Sequence, residues 1–121
     1  AINAQIFWVD FSLLGLFSSA PTLKTGHAKV TWAYNDHGKV VEMAYFDMDG
    51  KLTLQKYGYA KITIAYDDRG NVIEKAFLGV DEEPTLRKKC QCATIQYRYD
   101  EMGEVAKKLA YDKSGELVGE L

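Results

Sequence analysis

Apolar and polar residues alternate along residues 60–66. Ala60, Ile62, Ile64 and Tyr66 fall on one face, with Lys61, Thr63 and Ala65 on the other. A period of two, carried by β-branched and aromatic residues, predicts a half-buried strand. Apolar residues do not recur three and four apart, which disfavours a helix. The same alternation places Ala28, Val30, Trp32 and Tyr34 on one face of an earlier run, and Ala93, Ile95, Tyr97 and Tyr99 on one face of a later run. Each run closes at a turn: Asn35-Asp36-His37-Gly38, Asp67-Asp68-Arg69-Gly70 and Asp100-Glu101-Met102-Gly103. An acidic or amide residue opens the turn and glycine closes it, which suits a type I turn followed by a left-handed residue. Second strands are expected over Val40–Phe46, Val72–Leu78 and Val105–Tyr111, so each unit reads as a β-hairpin. Asp49-Gly50 and Ser114-Gly115 mark further turns, the first followed by the short apolar run Leu52-Thr53-Leu54.

The units repeat. Tyr34, Tyr66 and Tyr99 are spaced by 32 and 33 residues, and Gly38, Gly70 and Gly103 keep the same two spacings. A fixed period in this range is the mark of a repeat architecture, in which one supersecondary unit buries its apolar face against the next. The expected fold is mainly β: an antiparallel meander of three repeated hairpins, about 32 residues each, with an N-terminal capping segment. Residues 1–121 form one domain, with a degenerate cap at 1–23 and repeats at 26–57, 58–90 and 91–121.

This pattern resembles the tandem β-hairpin repeats of bacterial proteins, the YD (Rhs-type) repeats above all. The resemblance is carried by Tyr66-Asp67-Asp68-Arg69-Gly70-Asn71-Val72 and Tyr99-Asp100-Glu101-Met102-Gly103-Glu104-Val105, and more loosely by Tyr34-Asn35-Asp36-His37-Gly38-Lys39-Val40. It covers the chain after the N-terminal segment. The spacing is longer than is usual for YD repeats, and three copies are too few for the hollow shell that long arrays build. The resemblance implies a scaffold and brings no catalytic residue with it.

The N-terminal segment differs in kind. Residues 1–22 carry no basic side chain and include Phe7, Trp8, Phe11, Leu13, Leu14, Leu16 and Phe17. A signal peptide with Ser18-Ser19-Ala20 as its cleavage site is one reading, but the positive n-region is missing and Asp10 interrupts the apolar stretch. The run is also shorter than the roughly 20 residues that span a bilayer, so no membrane span is expected. Pro21-Thr22-Leu23 matches Pro84-Thr85-Leu86, so the chain enters in the second half of a degenerate unit. The segment is expected to cap one open end as a helix or strand. Its seven large apolar residues then belong to the core or, alternatively, to a subunit interface. Residues 115–121 stop inside the last unit, and an array cut in this way leaves an edge strand with unpaired backbone groups. That points to a homodimer formed through edge strands or exchanged hairpins.

Composition narrows the partners. Fifteen Lys and Arg against 17 Asp and Glu give a net charge of −2, with acids and bases interleaved. A nucleic-acid partner is not expected, because phosphate binding needs clustered cations. At 121 residues the chain is long enough to bury a core of its own.

Few residues of the chain point to chemistry. His37 lies in a turn and is expected to be solvated. His27, Tyr59 and Cys92 occupy equivalent positions in the three copies and would line up on one face if the units stack. Zinc would need Cys90 and a further ligand beside them, so neither a metal site nor any other cofactor is expected. Cys90-Gln91-Cys92, read as strand, holds its two side chains too far apart for an easy disulfide. Free thiols in a reducing compartment follow, with a lean to the cytoplasm. Most carboxylates sit at turns, and no phosphate loop or nucleophile elbow appears, so the chain does not read as an enzyme. Among the aromatic residues Tyr57 and Tyr59 precede a strand and are candidates for an exposed shelf that takes a sugar or a small apolar ligand. The ligand-binding candidates are therefore Tyr57, Tyr59, His27 and Cys92. The expected function is a non-enzymatic β-repeat module for protein–protein interaction or self-assembly. The alternatives are a carbohydrate or small-molecule binding module with an aromatic-lined cleft, and an enzyme with its site at a dimer interface.

Overall fold

A computed structural model describes residues 7–10 and 29–121. Eight strands form one antiparallel sheet among these residues: β1 (Phe7–Asp10), β2 (Lys29–Tyr34), β3 (Val40–Phe46), β4 (Lys61–Tyr66), β5 (Val72–Leu78), β6 (Thr94–Tyr99), β7 (Val105–Tyr111) and β8 (Leu117–Glu120). Their order in the sheet is their order in the chain, so the fold is the expected meander. The tight hairpins are β2–β3, β4–β5 and β6–β7. Part of the N-terminal segment is a strand: Phe7 pairs with Trp32 and Trp8 with Thr31. Phe11, Leu13, Leu14, Leu16, Phe17 and His27 lie outside the described residues.

The turns show why an acid or amide opens them. One side-chain oxygen of Asn35, Asp67 and Asp100 accepts the N–H groups two and four residues on, at 2.8–3.0 Å. The closing glycines Gly38, Gly70 and Gly103 take φ of 76°, 87° and 83°, which an L side chain rarely adopts. Asp47 and Asp112 build the same turn at the other end of the sheet. In each tight hairpin the register slips by one residue next to the closing tyrosine, a β-bulge that strengthens local twist.

Consecutive units are tied by these tyrosines. The Tyr66 hydroxyl donates to the Val40 carbonyl at 2.6 Å, and the Tyr99 hydroxyl to the Val72 carbonyl at 2.5 Å. The tyrosine closing one hairpin thus holds the hairpin before it.

A second feature builds the core. After β3 the chain returns beside it, with Leu52 opposite Phe46 and the Thr53 N–H donating to Tyr45 at 3.0 Å. Residues 54–59 then leave the sheet, and the chain rejoins at Ala60, whose carbonyl accepts from the Tyr45 N–H at 2.8 Å. The second unit repeats this around Phe77: the Thr85 N–H donates to its carbonyl, its own N–H donates to Ala93, and residues 86–92 leave the sheet between them. The two loops touch, with the Lys88 N–H donating to the Tyr57 carbonyl at 2.8 Å. At this seam a Cβ on Gly58 would stand 2.9 Å from Lys88 Cγ, and φ there is 97°.

Beneath these loops lies the core: Tyr59, Ile62, Phe77, Cys92, Ile95 and Ala110, flanked by Met43, Tyr45, Ile64, Cys90 and Tyr97. Met43, Ile62 and Phe77 stand in one row across β3, β4 and β5, and so share a face. No helix among the described residues is long and apolar enough to cross a membrane.

Candidate functional site

The sequence candidates separate in the structure. Tyr57 is 45% exposed at the tip of the first loop, with the Lys56 ammonium 5.0 Å from its ring centre. Tyr59 is buried at 8% exposure, so it is not part of an exposed shelf. The loop folds back over the sheet and sets the Tyr59 ring 4.9 Å from Phe77 and edge-on to Tyr45 at 6.1 Å. Burial raises the pKa of Tyr59 and pushes that of Tyr45 up to about 12. Cys92 has no exposed surface and cannot meet a ligand from solvent. His37 is exposed in its turn.

Cys90 and Cys92 form a disulfide, which corrects the expectation of free thiols. Residues 90–92 are not strand. They belong to the second loop, which is one residue longer than the first, and Gln91 takes φ of 52°. That left-handed residue shortens the Cα–Cα distance to 5.1 Å, against roughly 6.6–6.8 Å for alternate residues of a strand, and within the bridgeable range. The lean to a reducing compartment rested on free thiols and falls with them.

The second loop forms one wall of a groove of about 730 Å³ on the core face, toward β7 and β8. Ile95 and Tyr97 lie in it, and among the described residues the cations Lys75, Arg87, Lys89 and Lys108 line it, with Lys107, opposite Arg98, at its rim. Among the described residues Glu120 is the one acidic residue of the lining. Register explains two of the cations. Lys75 is opposite Ile95 and Lys108 is opposite Tyr97, so both stand on the face that carries the core. Their ammonium groups lie 5.6 and 5.9 Å from the centre of the Tyr97 ring. A smaller cavity of about 120 Å³ shares Lys75, Arg87, Ile95 and Tyr97 with the groove and adds Tyr59, Ile62 and Phe77. The Arg87 guanidinium lies 5.6 Å from the Phe77 ring centre.

The sequence signal for two of these cations lies on the second strand of each hairpin, which carries inward positions of its own. Met43, Lys75 and Lys108 keep the 32- and 33-residue spacing on the second strands, so the signal was present. On the opposite face Lys61 pairs with Glu42 at 3.8 Å and with Glu82. The Glu42 contact joins β3 to β4, whereas Glu74 accepts from the Gln96 amide at 3.3 Å. Among the described residues no three His, Cys, Asp or Glu side chains are grouped to hold a metal ion. Comparison with family models, with curated proteins and with solved structures gave no match.

Proposed function

We propose that the chain is a non-enzymatic β-repeat module that self-assembles through its sheet edge, β8 pairing with β8 of a second copy. The observation that supports this is the edge itself. Among the described residues β8 has β7 as its one neighbour in the sheet, and Leu117, Val118 and Leu121 are 58%, 53% and 56% exposed. An exposed strand with outward N–H and C=O groups is a template for another chain. Antiparallel pairing of the same strand about a two-fold axis satisfies those groups and makes an isologous interface.

The non-enzymatic part of the reading is supported by the carboxylates. Asp47, Asp67, Asp100 and Asp112 are committed to backbone N–H groups in turns. The period and the turn chemistry also keep the likeness to YD repeats as the best account of the scaffold. Light scattering over a concentration series tests assembly: a dimer of the 13.6 kDa chain is expected, and Val118→Lys should return it to a monomer by placing charge on the edge. A monomer throughout the range of roughly 1–100 μM, well above the affinity of ordinary specific interfaces, would sink the proposal.

A further inference from the structure

We propose that the groove beside β7 binds a small organic anion, a phosphate or carboxylate carried on an apolar ring. Three observations converge on it. The first is uncompensated charge. Among the described residues Lys75, Arg87, Lys89 and Lys108 line one groove, whereas Lys107 and Glu120, opposite Arg98 and Leu109, take the other face of the sheet at its rim. None of these four is in an ion pair among the described residues. Like charges held together raise the local potential, and an anion entering the groove lowers it.

The second observation is position. Lys75 stands between Ile64 and Ile95 in the cross-strand rows of the core face, where the first unit has Met43. An inward lysine adds nothing to hairpin stability that methionine does not, and its ammonium must be kept solvated or paired. Lys108 repeats the substitution at the same register of the next unit and flanks the same tyrosine.

The third is the shape behind the cations. The inner cavity is about 120 Å³, lined by Tyr59, Ile62, Phe77, Ile95 and Tyr97, with Lys75 and Arg87 shared between it and the outer groove. A ring can enter the apolar part while its oxyanion stays between Lys75 and Arg87, where charge-assisted hydrogen bonds form. Aromatic walls with a few convergent charged groups are the usual make-up of a small-molecule site. The outer part of the groove reaches the β8 edge at Glu120 and Leu121.

The test is an amide-shift NMR titration of the full chain with four probes: phenyl phosphate, benzoate, inorganic phosphate and benzyl alcohol. Saturable shifts at Ile95, Tyr97 and Lys108 are expected with phenyl phosphate or benzoate, and whichever binds more tightly identifies the oxyanion. Inorganic phosphate should bind several-fold more weakly for want of a ring, and benzyl alcohol more weakly still for want of charge. Lys75→Gln and Arg87→Gln should each weaken the better probe about tenfold, the loss expected of one charge-assisted hydrogen bond. Lys108→Gln, at an exposed strand position, is the variant least able to disturb folding and should weaken it several-fold. Lys39→Gln lies outside the groove and should leave the affinity unchanged. The proposal is overturned if neither aromatic anion gives saturable shifts at roughly 20 mM, the weak end of specific binding. It is equally overturned if benzyl alcohol binds as tightly as the anions, or if affinity survives all three groove substitutions. Repeating the titration with Val118→Lys separates this outcome from that of edge assembly.

Discussion

Removing the hydroxyl from Tyr66 or Tyr99 tests how neighbouring units are held in register. Each hydroxyl donates to a carbonyl of the preceding unit, Val40 at 2.6 Å and Val72 at 2.5 Å. Tyr66→Phe and Tyr99→Phe keep the ring and delete the donor. A neutral hydrogen bond contributes about 0.5–1.5 kcal/mol net, and a half-buried carbonyl left without its donor keeps the loss near the middle of that range. A destabilisation of about 1 kcal/mol is therefore expected for each variant. The two bonds share no partner and lie in different unit boundaries, so the double variant should lose about 2 kcal/mol. For a chain of 121 residues, 1 kcal/mol corresponds to a fall of about 3–5 °C in Tm. Urea denaturation followed by circular dichroism and tryptophan fluorescence measures it, with the exposed Tyr57→Phe as control. The m-value should not change, because the surface exposed on unfolding is the same. A loss below about 0.3 kcal/mol in both single variants, or one matched by Tyr57→Phe, would refute the view that these bonds fix the units.

Three further outcomes follow from the core and the second loop. Phe77 is 2% exposed and hydrogen-bonded through its backbone on both sides of that loop, so Phe77→Ala should cost about 3–5 kcal/mol by calorimetry or denaturation. A loss of only about 1 kcal/mol would mean that the loops are not packed as described. The Cys90–Cys92 disulfide closes a three-residue loop, for which chain entropy allows about 1.6 kcal/mol. Reduction should therefore lower stability modestly and leave the far-ultraviolet spectrum unchanged; global unfolding on reduction would contradict this. Burial raises the pKa of Tyr45 to about 12 and raises those of Tyr59, Tyr66 and Tyr99 above 10.0. A phenol held neutral by the fold stabilises it fully below pH 10.0, and that stability is lost as pH rises through the folded value. Tyr45→Phe should remove at most about 2 kcal/mol of the decline between pH 10 and about 12, allowing for partial exposure, and an unchanged decline would count against its burial.

The residues of the chain settle its strands and turns because that information is local. Alternation in residues 60–66, the Asp67 carboxylate reaching N–H groups two and four residues on, and Gly70 in the left-handed region all act within one hairpin. The 32- and 33-residue spacing then implies that neighbouring hairpins are alike. What lies over the sheet is decided between units, by contacts that no local pattern encodes. Residues 54–59 read as a connection, yet they fold back because Tyr59 gains Phe77 and Tyr45 as neighbours and Lys88 bonds Tyr57 across the seam. The single extra residue of the second loop sets Gln91 in a left-handed turn, and only there do Cys90 and Cys92 come within bonding reach. The groove has the same origin. Lys75, Arg87 and Lys108 come from two strands and a loop, and only the cross-strand register and the packing of that loop bring them to one face. Alternation tells which face a residue takes; what that face meets depends on free energy gained from residues far away in the chain.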